Sequence, residues 1–206
     1  MITLFHRSRT RASRFIFLLE ELEAPYEIRT VTIRSRDGSG HIDEANPHPV
    51  GKVPAICDDG EVVFESPAIA LYLTDKYRHK VLGPAVGERN RGAYVSWLCY
   101  YSGVLEPAFM SKFMGVEVPR GTAGWVPAEE AIGAVLKQLA GKSYLLGGDF
   151  SAADVLYATT FALFAGNPIL PKNAVIEDYV RRVTTRAAFA RAQAREAAHE
   201  RGTAGD

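Results

Sequence analysis

The chain has 206 residues, 47% of them hydrophobic, with 24 Lys and Arg balanced by 24 Asp and Glu for a formal net charge of zero. That is enough apolar material for one large core or two smaller ones, and the charge balance excludes a general electrostatic attraction to nucleic acid or to a membrane surface. The two cysteines, Cys57 and Cys99, stand in no Cys-x-x-Cys pair, so a disulfide framework, a zinc site and a dithiol redox motif lack support, and no metal is expected.

The start, MITLFHRSRTRASRF, has no apolar core of the kind a secretory leader carries, and no apolar run is long enough to span a bilayer. A cytoplasmic protein without membrane contact is expected. TLF, residues 3–5, reads as a short strand, and Phe15, Leu18, Leu19 and Leu22 follow at helical spacing. YEIRTVTI, residues 26–33, reads as a second strand. After the polar loop RSRDGSGHIDEANPHP come VPAIC and EVVF, two short β-rich runs joined by Asp58-Asp59-Gly60, which carries the glycine a tight hairpin favours. A helix with Ile69, Tyr72, Leu73 and Tyr77 on one face comes next, and Ser66-Pro67 reads as its N-cap and first helical residue.

RHKVLGPAVGERN interrupts the periodicity, which places a first domain at 1–78, a linker at 79–87 and a helical domain at 88–206. In the latter, Tyr94, Trp97, Leu98, Tyr101 and Leu105 make one long amphipathic stripe. Ile132, Val135, Leu136 and Leu139 make a second, opened by Pro127. Ser151-Ala-Ala-Asp154 has the form of a capping box, and the DVLYATTFALFAG that follows is apolar nearly all round, which predicts a central buried helix. The closing GTAGD reads as frayed.

The order of these elements, the proline opening the VPAI strand, the Glu65-Ser66 exit, the FSAAD box and the phrase LLEELEAPYE together resemble the cytosolic glutathione transferases over essentially the whole chain. The strongest part is NPHPVGKVPAICDDGEVVFESPAIALYL. The resemblance implies an α/β, thioredoxin-like N-terminal domain (βαβ then ββα) followed by an all-α helical bundle. It also implies glutathione as co-substrate and a small hydrophobic electrophile as its reaction partner. A homodimer is implied too, pairing apolar surface of the 69–77 helix with that of the 94–105 helix. Peroxide reduction, isomerisation and a non-catalytic binding or scaffold role are the alternatives within the same family.

On that resemblance Pro54 is cis, Val53 pairs through its backbone with the cysteinyl part of glutathione, Ser66 takes the γ-glutamyl carboxylate, Glu65 takes the ammonium group or a charge of a partner chain, and Lys52 faces the glycyl end. Ser66 before a proline is also an ordinary helix cap, on sequence alone the commoner role, and Lys52 an ordinary solvated lysine. The resemblance places the thiolate donor in FHRSRTRASR, which holds no tyrosine or cysteine. The TRASR register points first to Thr10 and second to Ser8, with Arg11 adding a fixed positive charge. Helix capping by Thr10 or Ser13, and a structural role for His6, are the competing readings. Arg7, Arg9, Arg11 and Arg14 lack an aromatic platform beside them, so a nucleic-acid site is not expected. The electrophile is expected between the domains against Phe109, Met110, Phe113, Met114 and Trp125, with GVEVPRGTAGW closing over it.

Overall fold

A computed structural model describes residues 1–203. The alternation of the first eighty residues becomes β1 (Ile2–His6), α1 (Ser13–Glu21), β2 (Tyr26–Thr30), β3 (Ala55–Asp58), β4 (Glu61–Phe64) and α2 (Ser66–Lys76). The sheet runs β2-β1-β3-β4, with β1 parallel to β2 and the other pairs antiparallel. This is the expected thioredoxin-like βαβ-ββα arrangement. β2 stops three residues short of the expected YEIRTVTI run: Val31 donates one bond back to the His6 carbonyl (3.0 Å), and pairing ends there.

The elements after residue 80 are helices: α3 (Arg91–Tyr100), α4 (Glu106–Met114), α5 (Ala128–Leu139), α6 (Ala152–Leu163), α7 (Ala174–Thr184) and α8 (Ala187–Thr203). The single long stripe expected from Tyr94 to Leu105 is instead α3 followed by one wide turn of π-helix at Tyr101–Leu105. Pro107 accounts for the change, because it has no N–H for the carbonyl of Gly103 and its ring would collide with that carbonyl in a regular α-turn.

By packing, the chain forms two compact units, one of Met1–Lys80 with the segment from Arg186 onward, the other of Val81–Thr185. One boundary lies between Lys80 and Val81 and the other between Thr185 and Arg186, and α8 packs along α1 in the first unit. That packing explains a feature the four-residue stripe of α1 did not foretell. Ile16 and Phe17 are buried together with Phe15, Leu18 and Leu19, since one side of α1 faces the sheet and Phe17 meets Phe189 of α8 edge to face at 5.2 Å. The expected fraying of GTAGD concerns positions 204–206, outside the described residues.

In the second unit α6 is the buried central helix that its sequence predicts. Asp154, with no exposed surface, accepts from the Ser151 N–H and hydroxyl (both 2.8 Å), the Leu145 N–H (2.9 Å) and the Tyr179 hydroxyl (2.8 Å). Burial pushes its carboxyl above the ordinary range, and the donated bonds pull the other way. Of the residues named as dimer surface, Ile69, Leu73, Tyr94, Leu98, Tyr101 and Leu105 are buried within the chain, and Tyr72, Tyr77 and Trp97 are half-buried.

Candidate functional site

Strand register brings three segments to one end of the sheet. Phe5, Ala55 and Phe64 form one cross-strand row, so the loop after β1, the Val53-Pro54 pair before β3 and Glu65-Ser66 after β4 emerge side by side. The row spans two inter-strand spacings, roughly 10 Å, which matches the roughly 10 Å of three extended residues. Both α1 and α2 start at this end, and the partial positive charge of their N-termini favours anions there.

The Val53-Pro54 peptide bond is cis. Val53 is half-buried, and its own N–H and C=O have no hydrogen-bond partner among the described residues. The chain reaches Val53 through a loop fastened by side chains that sequence reading passed over. The Asn46 amide donates to the Lys52 carbonyl (3.0 Å) and accepts from the His48 N–H (3.1 Å), while His48 Nδ1 accepts from the Val50 N–H (3.2 Å). Gly51 has φ +62, and a Cβ there would sit 2.6 Å from the Ile42 side chain, so the turn before Lys52 needs glycine. Lys52 itself is exposed. Asx and His side chains satisfying backbone groups two residues on are the signal that could have found this loop in NPHPVGK.

At the exit of β4 the structure corrects one reading. Ser66 is not the N-cap of α2: Glu65 occupies that position, its carbonyl accepts from the Ile69 N–H (2.9 Å), and no side chain caps the helix. Ser66 is instead the first helical residue, buried, with a hydroxyl that has no partner among the described residues. Glu65 holds φ 70 and ψ 128, a conformation that costs a non-glycine residue about 1–3 kcal/mol. Its side chain is exposed, with His48 Nε2 3.8 Å from Oε1, and the His48 ring lies 5.3 Å from that of Phe64. The start of α2 thus joins a strained backbone at Glu65 to a Ser66 hydroxyl that caps nothing.

The loop after β1 holds Ser8, Thr10 and Arg11 together, bent by Arg9 at φ 59. Thr10 donates its hydroxyl proton to the Arg7 carbonyl (2.6 Å) and accepts from the Ala12 N–H (3.1 Å), so it closes the turn that leads into α1. Ser8 is half-buried, and its hydroxyl has no partner among the described residues. Ser13 caps nothing by itself: it donates to Glu196 Oε1 (2.6 Å), as does Nε2 of the buried His6 (2.9 Å). Burial works against the Glu196 carboxylate, but the His6 and Ser13 bonds outweigh it and hold the pKa below the ordinary range.

The apolar residues expected to line an electrophile site divide. Phe109 is core, packed on Phe161 and Phe164. Phe113 and Met114 are exposed. Trp125 lines a cavity of about 490 Å³ that lies within the second unit, between α4 and the 115–127 segment, and its indole N–H donates to Ser111 Oγ (3.2 Å). The Lys112–Glu129 ion pair lies at the same cavity.

The family description "Glutathione S-transferase, N-terminal domain" matches residues 1–75. Glutathione S-transferase 3 of Schizosaccharomyces pombe is 39% identical over 77 residues, which are 37% of this chain and 31% of that protein. Glutathione S-transferase hmp2 of Hypomyces subiculosus is 28% identical over 172 residues, 76% of this chain and 80% of its own. Among solved structures, a sphingomonad glutathione S-transferase complexed with glutathione is 26% identical, covers 95% of this chain and 98% of its own, and superposes with a TM-score of 0.73. The ternary complex of BphK, a bacterial glutathione transferase, shares the fold with a TM-score of 0.76 at 24% identity over 95% of this chain and 99% of its own. The chain spans about a third of the fission yeast protein it matches.

Proposed function

As a member of the cytosolic glutathione transferase superfamily, this chain, we propose, binds reduced glutathione along the row from the β1 loop to the start of α2 and adds its thiolate to a small hydrophobic electrophile. The observation that carries the reading is the start of α2, where Glu65 holds a strained backbone beside a buried Ser66 whose hydroxyl is unused. Ser66, through its hydroxyl and N–H, receives the γ-glutamyl carboxylate; Glu65 pairs with the ammonium group; the Val53 peptide groups bond the cysteinyl residue as an added strand would; Lys52 faces the glycyl carboxylate. In the chemical step the cysteinyl thiol gives its proton to solvent. The sulfur then uses its electron pair to bond the electrophilic carbon, and the leaving group departs with the pair it had shared. The protein's contribution is orientation and stabilisation of the anion.

Ser8 and Thr10 both remain within the donor loop, and the geometry supports Ser8 more strongly, since Thr10 has its proton on the Arg7 carbonyl while Ser8 has no partner. Arg11 adds fixed charge to the same loop. Binding without turnover is the second reading, and the committed Thr10 hydroxyl is the observation in its favour. Calorimetric titration with glutathione and with an S-alkylated analogue, followed by turnover on an electrophile panel that includes hydroperoxides, separates the two. Saturable binding of both ligands with turnover supports the transferase, binding alone supports the second reading, and no binding at millimolar ligand defeats both. A homodimer belongs to the same proposal; light scattering at micromolar protein giving a mass near 45 kDa, about twice the 22.5 kDa of one chain, is the expected result, and a monomer mass contradicts it.

A further inference from the structure

A cluster that the glutathione contacts leave unused lies where α8 meets the end of β1. α8 is fastened along α1 by a ladder of side chains. Arg186 grips the Glu21 carboxylate with two bonds (2.6 and 2.8 Å). Arg191 bonds the Glu20 carboxylate (3.0 Å) and carbonyl (2.9 Å), and Arg195 reaches the Tyr26 carbonyl (3.3 Å). Past this ladder comes Glu196, whose Oε1 accepts from His6 Nε2 and from the Ser13 hydroxyl, with the Arg9 peptide N–H also favouring its ionised form.

The positions of those two donors matter more than their number. His6 immediately precedes the Arg7–Ala12 loop and Ser13 immediately follows it. One carboxylate therefore pins the loop at both ends. His6 is buried and its Nδ1 has no partner among the described residues, so its ring is held by the hydrogen bond to Glu196 and by an edge-on contact with His199 of α8 (6.4 Å between centroids). No side chain caps α1 at Ala12, and the Glu196 carboxylate supplies the negative charge that this helix start favours.

We propose that Glu196 is a positioning residue for the thiolate site: from the C-terminal helix it holds the Arg7–Ala12 loop so that the donor hydroxyl stays within reach of the glutathione sulfur. The inference rests on the glutathione reading for its functional half. A donor displaced by about 1 Å loses on the order of 100-fold in rate, so a loop made only of a short turn needs an outside anchor.

The test is Glu196→Gln, which keeps the shape and removes the charge. Amide exchange at residues 9–12 is expected to accelerate by about ten-fold or more. With turnover measurable, kcat falls roughly 10- to 100-fold with the KM for glutathione within about two-fold, and the thiolate absorbance of bound glutathione titrates at higher pH. Arg191→Ala, which loosens α8 away from the loop, leaves kcat and the thiol titration as in the wild type. Unchanged exchange, kcat and titration in Glu196→Gln overturn the proposal, and so does an Arg191→Ala variant that reproduces its losses, because the effect then belongs to helix docking in general. Should the Gln variant fail to fold, Glu196→Asp, which keeps the charge on a shorter reach, is read by the same measurements. If the wild type binds no glutathione, the transferase reading fails on its own, and loop exchange still decides whether Glu196 pins the loop.

Discussion

Two helix starts in this chain carry a serine and an acidic residue, and they have opposite fates. At α6, Ser151 and Asp154 bind each other and the surrounding N–H and O–H groups until the carboxylate has four donors and no exposure. At α2, Glu65 and Ser66 do not bind each other: the serine hydroxyl has no partner among the described residues, the largely exposed carboxylate has only His48 at 3.8 Å, and the backbone between strand and helix is strained. Polar groups that satisfy one another build structure, and polar groups that a fold presents unsatisfied, at a conformational cost, are available to something else. The start of α1 is an intermediate case, with no cap of its own and a carboxylate supplied from α8.

The sharpest way to break this contrast is at α6. Asp154→Ala leaves four buried donors without an acceptor, and the expected loss is about 3–5 kcal/mol in urea unfolding, while the glutathione affinity of the folded fraction stays as it was. A loss of affinity with intact stability would erase the distinction between the two starts. Glu65→Gly cuts the other way. Glycine accepts φ 70 without strain, so stability is expected to rise by about 1 kcal/mol while glutathione affinity drops; a variant that is less stable and binds as well as the wild type would show the strained conformation to be structural.

The smallest expected effect concerns α1. The folded pKa of Glu196 is depressed, so its ionised form contributes stability that is fully present above the ordinary glutamate value of about 4.3 and is lost as pH falls through the lower folded value. The stability gap between wild type and Glu196→Gln is therefore expected to be constant near neutrality and to close below about pH 4, read by urea unfolding across pH. A gap that widened on acidification would contradict the depressed value.

The comparison also explains what the sequence could and could not convey. Local signals carried the strands, the Asp58-Asp59-Gly60 hairpin, the buried α6 and its capping box, because each is decided by residues within a few positions of one another. The same locality misled at Ser66: Ser-Pro before an apolar run matches a cap as well as Ser151 does, and only the helix's actual first turn shows that Glu65 takes the cap position and leaves the hydroxyl over. Pro107 was visible, yet its effect lies on a carbonyl four residues back and breaks an otherwise continuous stripe. Contacts such as His6 with Glu196, 190 residues apart, leave no trace in periodicity or spacing, and α8 showed itself only through an α1 more buried than one apolar face requires.

The most direct test of the central claim pairs two measurements on Ser66→Ala. If the hydroxyl is held ready for a ligand, unfolding free energy changes by no more than about 0.5 kcal/mol, because no cap is removed, and glutathione affinity by calorimetry falls about ten-fold. A loss of about 1 kcal/mol in stability with unchanged affinity would mean that Ser66 is a cap after all and that α2 begins as α6 does.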